Sequence, residues 1–160
     1  MQEKLLPVDM AVFMGSDHAG VRLKRHLAGH LEGRGVCCFD CGAFSEEIVD
    51  WPPFAFDVCG RVLREGGMGL LICGSGIGMC MAANRIPGIR AVLCANEYQA
   101  RFARAHNDAN LLCLGERVTG PGLAALIVDV FRETAYDGGI HDKRLAMMEG
   151  GAERLQRMEP

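Results

Sequence analysis

The chain lacks any apolar run approaching the roughly 20 residues that a membrane span needs. Its N-terminus lacks a basic region leading into a sustained apolar stretch. Both absences point to a protein that stays in solution, with no membrane partner and with the cytoplasm as its expected place. An excess of positive charge is missing too. Lys and Arg number 17 against 20 Asp and Glu, for a formal net charge of -3 and a pI of about 5.9. The basic residues are scattered rather than striped, which argues against nucleic acid as an obligate partner and in favour of a small molecule. There is no internal repeat or low-complexity segment, and the pairs Gly66-Gly67 and Gly138-Gly139 read as turns rather than linkers. Cysteine is present, at 8 residues in 160, yet below the density of a disulfide scaffold. Most of these residues lie inside strand-like apolar runs, where free buried thiols are common.

What the sequence does contain is enough apolar material, 49% of residues, for one core, so residues 1–160 read as a single domain. Five short apolar runs, at residues 10–14, 36–39, 68–73, 89–94 and 110–114, alternate with helical patterns. That alternation predicts a three-layer α/β/α, Rossmann-like domain with a five-stranded parallel sheet, in the expected order 2-1-3-4-5. Leu23, Leu27 and Leu31 step by four, as do Phe54, Val58 and Val62, so each segment offers one apolar stripe to the sheet. Pro52 and Pro53 suit the first turn of the second helix, and residues 122–134 read as a fifth helix. A charged tail, about residues 141–160, reads as helical but carries more charge than a core helix tolerates. It is expected to pack across a partner subunit.

Glycines collect directly after the strands: Gly15 and Gly20 after the first, Gly74, Gly76 and Gly78 after the third, Gly115 after the fifth. In an open parallel sheet, ligands bind beyond the carboxyl ends of the strands, especially where strand order reverses. With strands 1 and 3 adjacent, the loops Gly15-Ser16-Asp17-His18-Ala19-Gly20 and Cys73-Gly74-Ser75-Gly76-Ile77-Gly78 face each other across one crevice. Closely spaced glycines at a helix start can turn several N–H groups toward one anion. Cys73 stands beside that positive helix end, which favours a thiolate able to act as base or nucleophile. Position alone equally allows the last core residue of a strand. His106, in Arg104-Ala105-His106-Asn107-Asp108-Ala109-Asn110, is either a site residue or a helix C-terminal cation. Arg117 and Arg144 are further cations suited to a phosphate.

Taken together these motifs resemble the ribose/galactose isomerase family, on its type B ribose-5-phosphate isomerase side. The likeness continues through Asp50-Trp51-Pro52, Ala-Asn-Arg-Ile-Pro-Gly-Ile-Arg-Ala from Ala83, Gly115-Glu116-Arg117-Val118 and Asp137-Gly-Gly-Ile-His-Asp-Lys-Arg144, and covers nearly the whole chain. The resemblance implies interconversion of an aldose phosphate and a ketose phosphate without cofactor or metal, in a homodimer, or a dimer of dimers, whose sites are shared between chains. It implies Cys73 as the base moving a proton between C2 and C1, with the amides of Gly74, Ser75, Gly76, Ile77 and Gly78 around the enediolate oxygen. Ser75 would handle protons on the substrate oxygens, and His106 would open the sugar ring. Asp17 and Asn107 would hold hydroxyls, and His18, Arg117 and Arg144 the phosphate. Ribose 5-phosphate is favoured, because the galactose-6-phosphate relatives generally lack the combined Cys and His-Asn-Asp motifs; allose 6-phosphate is the alternative. One departure is Ile140, where many members carry Arg.

Two other readings are weaker. A dinucleotide site would need a third fingerprint glycine at Met79. The Cys38-Phe39-Asp40-Cys41 pattern would need its two thiols on one side, whereas residues three apart on a strand face opposite sides.

Overall fold

Five strands form one all-parallel sheet: β1 (Val12–Ser16), β2 (Cys38–Asp40), β3 (Met68–Cys73), β4 (Ala91–Leu93) and β5 (Leu111–Gly115). The computed structural model describes residues 10–151. Six helices connect and flank the strands: α1 (Val21–Glu32), α2 (Pro52–Glu65), α3 (Ile77–Ala83), α4 (Glu97–Asn107), α5 (Pro121–Glu133) and α6 (Ile140–Glu149). Successive side chains of a strand point to opposite faces, and the core divides accordingly. On one face Met68, Leu70 and Ile72 of β3 and Leu112 and Leu114 of β5 meet α1, α4 and α5 through Leu23, Leu27, Leu31, Ala103, Ile127 and Phe131. On the other, Leu71, Cys73, Leu111 and Cys113 meet α2 and α3 through Ala55, Val58, Val62, Met79 and Ala83. Three layers result, as the alternating pattern predicts.

The strand order is β2-β1-β3-β5-β4, which corrects the expected 2-1-3-4-5 by exchanging the last two strands. The reason is burial. All five residues of β5 are buried and all are apolar or glycine, which suits a strand covered on both faces. β4 has three residues and is buried only at Ala91, so it takes the edge, where short strands belong. The crossover between β1 and β3 is unaffected, and it is this neighbour pair that opens the crevice at the carboxyl edge.

Helix ends are secured locally and from a distance. Proline occupies the first turn of α2 and of α5, and the Asn96 side chain accepts from Gln99 N–H at 2.9 Å to cap α4. α1 has no cap of its own; the Glu116 carboxylate, just past β5, accepts from Leu23 N–H at 2.9 Å. A negative group on that positive helix end ties α1 to the loop after β5. The C-terminal tail is helical over α6, which buries none of its residues and leaves Ile140, Met147 and Met148 66%, 62% and 54% exposed. The remainder of the expected tail helix lies outside the described residues.

The candidate active site

The three loops at the carboxyl edge enclose a cavity of about 410 Å³ lined by Asp17, His18, Trp51, Cys73, Gly74, Ser75, Gly78, Arg117 and Val118, among others. Most follow the ends of β1, β3 and β5, whereas Trp51 stands at the start of α2. β1 runs into Asp17, whose N–H donates across to Ile72 C=O at 3.2 Å and whose carboxylate accepts from Ala19 N–H at 2.9 Å. The buried carboxylate is thus pinned at the mouth of a single helical turn, His18–Gly20. His18 Nδ1 accepts from Val49 N–H at 3.4 Å. The neutral ring therefore carries its proton on Nε2, a donor suited to an anion.

Cys73 ends β3 opposite Gly115 and is 6% exposed. The Gly76 N–H donates to its sulfur at 3.1 Å. Gly76 makes this possible by adopting φ +79°, and a side chain there would also meet the Leu114 backbone at 2.9 Å. Gly115 is needed for a different reason: a Cβ on it would lie 2.6 Å from the Ser75 carbonyl carbon. One glycine in the loop and one at the end of β5 thus let the loop after Cys73 lie flat on that strand end. Arg117 N–H donates to Gly74 C=O at 3.0 Å, and its guanidinium passes over Gly74.

The amides divide into two groups. Gly76 N–H serves the thiol and Ile77 N–H donates to Ser75 Oγ at 3.3 Å. Those of Gly74, Ser75 and Gly78 donate to no acceptor among the described residues. Three donors therefore remain for a ligand, where the sequence offers all five amides from Gly74 to Gly78. Trp51 lies against Gly78 and walls the cavity, a role that the motif Asp50-Trp51-Pro52 does not reveal. Its contact with the nest comes from α2 packing beside α3, which local sequence does not announce.

His106, Asn107 and Arg144 are not in this cavity. His106 closes α4, half-exposed, with Phe102 at 4.6 Å and His141 stacked at 4.2 Å between ring centroids. Asn107 donates to Phe102 C=O at 3.2 Å, and Arg144 is exposed on α6. The rest of the polar segment is structural. Asp108 takes up the left-handed conformation ending α4 and pairs with Arg90 and Arg104, each at 2.9 Å. Asn110 bridges Arg90 N–H and Gly88 C=O, both at 2.8 Å. Cys38 and Cys41 pack against opposite faces of the sheet, as the strand period requires. Among the described residues, the Cys73 cavity has no trio of His, Cys, Asp and Glu side chains close enough to share a metal ion.

A parallel sheet with an amide nest, a thiol, an arginine and a histidine at its reversal point defines an α/β domain built to act on a small anionic molecule. Residues 12–148 match the Ribose/Galactose Isomerase family, and the chain belongs to that family. It is 44% identical over 135 residues to ribose-5-phosphate isomerase B of Escherichia coli strain K12, covering 84% of this chain and 91% of that protein. It is 39% identical to a putative sugar phosphate isomerase of Bacillus subtilis strain 168, covering 91% and 99%. Among solved structures, ribose-5-phosphate isomerase B of Clostridium thermocellum superposes with a TM-score of 0.88 at 43% identity, over 91% of this chain and 99% of that one. The type B enzyme of Trypanosoma brucei gives 0.85 at 41% identity, over 89% and 99%.

Proposed function

We propose that the protein interconverts D-ribose 5-phosphate and D-ribulose 5-phosphate without a cofactor. The observation that carries this reading is the Cys73 sulfur, held by the Gly76 amide at 3.1 Å in one cavity with Asp17, His18, Ser75 and Arg117. In the open-chain aldose, the Cys73 thiolate takes the proton from C2, and the C2–H electron pair becomes the C1–C2 double bond as the carbonyl oxygen gains negative charge. A thiolate is too weak a base for an unassisted carbon acid. The unengaged amides of Gly74, Ser75 and Gly78 offset that charge; losing one such donor typically costs ~10²–10³ in rate. Ser75 Oγ relays the proton between the two substrate oxygens, and the Cys73 thiol returns its proton to C1. Asp17 holds a hydroxyl, while His18 and Arg117 bind phosphate oxygens.

His106, Asn107 and Arg144 serve the same reaction from a second copy of the chain, so that the working unit is a homodimer. Their absence from the lining of the Cys73 cavity and the uncovered apolar residues of α6 support this. From the partner, His106 protonates the ring oxygen, Asn107 holds a hydroxyl and Arg144 completes the phosphate site. The fluid around such an enzyme is the cytoplasm; no described helix is long and apolar enough to cross a membrane. Turnover of ribose 5-phosphate, allose 6-phosphate and galactose 6-phosphate, each followed by ketose formation, tests the reading. Ribose 5-phosphate should give the highest kcat/KM, and no turnover of any of the three defeats it.

A further inference from the structure

Beyond the Cys73 cavity the chain assembles a second cluster from residues of two separate motifs. After α5 the backbone returns across the last turn of α4, where Asp137 N–H donates to Ala105 C=O at 2.9 Å. Gly138 and Gly139, with φ of 65° and 64°, then reverse its direction into α6. The turn lays the His141 ring on the His106 ring, with centroids 4.2 Å apart and planes 15° from parallel. It also brings Asp137 Oδ2 to 3.9 Å from His106 Nε2. One ligand atom from each of the three side chains lies within 4.8 Å of the other two. The neighbouring Asp142 carboxylate is engaged by the Tyr136 hydroxyl at 2.9 Å, which leaves Asp137 as the cluster's carboxylate.

We propose that His106, Asp137 and His141 form a site for a divalent transition-metal ion of the zinc class. Two imidazoles and one carboxylate are a donor set such ions accept, leaving one position open to water. Bond lengths of about 2.0–2.2 Å to nitrogen and oxygen place tetrahedral ligands about 3.4 Å apart. The cluster therefore closes by about 1 Å through rotation of partly exposed rings. The inference rests on the preceding reading in one respect. A metal on His106 takes the nitrogen that would carry a proton to the sugar ring, so the ion acts as a reversible brake rather than as a cofactor.

Calorimetric titration of the metal-free, full-length protein with Zn²⁺ tests the site, using wild type, His141→Ala and Asp137→Asn, with circular dichroism to show that the variants fold. Wild type should take up one Zn²⁺ per chain at this site, and each variant should bind it about tenfold or more weakly, since even supporting partners of metal ligands are worth that much. Co²⁺ substitution separates this site from the thiols: a nitrogen and oxygen site gives no sulfur-to-metal charge-transfer band. Equal zinc affinity in all three proteins, or a cobalt spectrum dominated by thiolate, overturns the site. Turnover unaffected at saturating zinc overturns the brake. A metal-free wild type that fails to isomerise any sugar phosphate counts against the isomerase reading alone, because the binding measurement does not depend on it.

Discussion

Replacing Cys73 with alanine removes two things at once: the proposed base, and the acceptor of the Gly76 N–H at 3.1 Å. Loss of a general base typically lowers turnover ~10²–10⁴-fold. Loss of the acceptor leaves an amide unpaired, which costs about 1–3 kcal/mol when buried. The bond is buried, so that range applies, and for a domain this size each 1 kcal/mol lowers Tm by about 2–4 °C. Cys73→Ser separates the two effects. Its hydroxyl accepts the Gly76 N–H and should restore the melting temperature, but it holds its proton too tightly to serve as base, so turnover stays down. Thermal melts by circular dichroism, paired with a continuous assay of ribulose 5-phosphate formation, read both quantities on the same preparations. An alanine variant keeping more than about a tenth of wild-type kcat/KM would refute Cys73 as the base, and a serine variant melting no higher than alanine would refute the sulfur–amide account.

Mixing the inactive variants Cys73→Ala and His106→Ala, after unfolding and refolding together, should restore up to about a quarter of the sites, because random two-fold pairing gives each mixed dimer one intact site; no recovery argues against shared sites. Gly115→Ala drives a methyl group to 2.6 Å from the Ser75 backbone, so stability should fall by about 1–3 kcal/mol and kcat by about 10²-fold through displacement of the amide nest, read by melts and kinetics. The Cys113 thiol donates to Cys80, and with Asn84 outweighs burial to lower Cys80 to about 7. Alkylation followed by mass spectrometry should therefore label Cys80 with a midpoint near that pH, ahead of Cys94, which burial pushes up to about 12. Burial likewise raises Cys59 to about 11 from an ordinary 9.0. Above pH 9 the unfolded chain releases that proton and the folded chain does not, so denaturation midpoints should drop between pH 9 and 11, by up to about 2–3 kcal/mol for this residue; a flat profile there contradicts it.

Much of the molecule follows from short-range sequence. The layers follow from period: Leu23, Leu27 and Leu31 share one helix face, and Leu70 and Ile72 share one strand face, whatever the rest of the chain does. The crevice loops follow as well, because Cys73 to Gly78 packs glycines where a strand meets a helix, and only glycine allows the φ of +79° at position 76. Strand order lay beyond that reach. The exposed positions of β4 and the full burial of β5 decide which strand sits at the edge, and burial is a property of the assembled layers rather than of either run. The segment from His106 to Asn110 shows the same limit. Its polar residues look alike in sequence, yet Asp108 and Asn110 are occupied by Arg90, Arg104 and Gly88, while His106 is left stacked on His141, 35 positions along the chain. Sequence by itself determined which residues could carry chemistry, because that depends on side-chain type and local backbone. Which of them meet, and which are spent on holding the fold, only the tertiary structure decided, because those distances are set by how the layers pack.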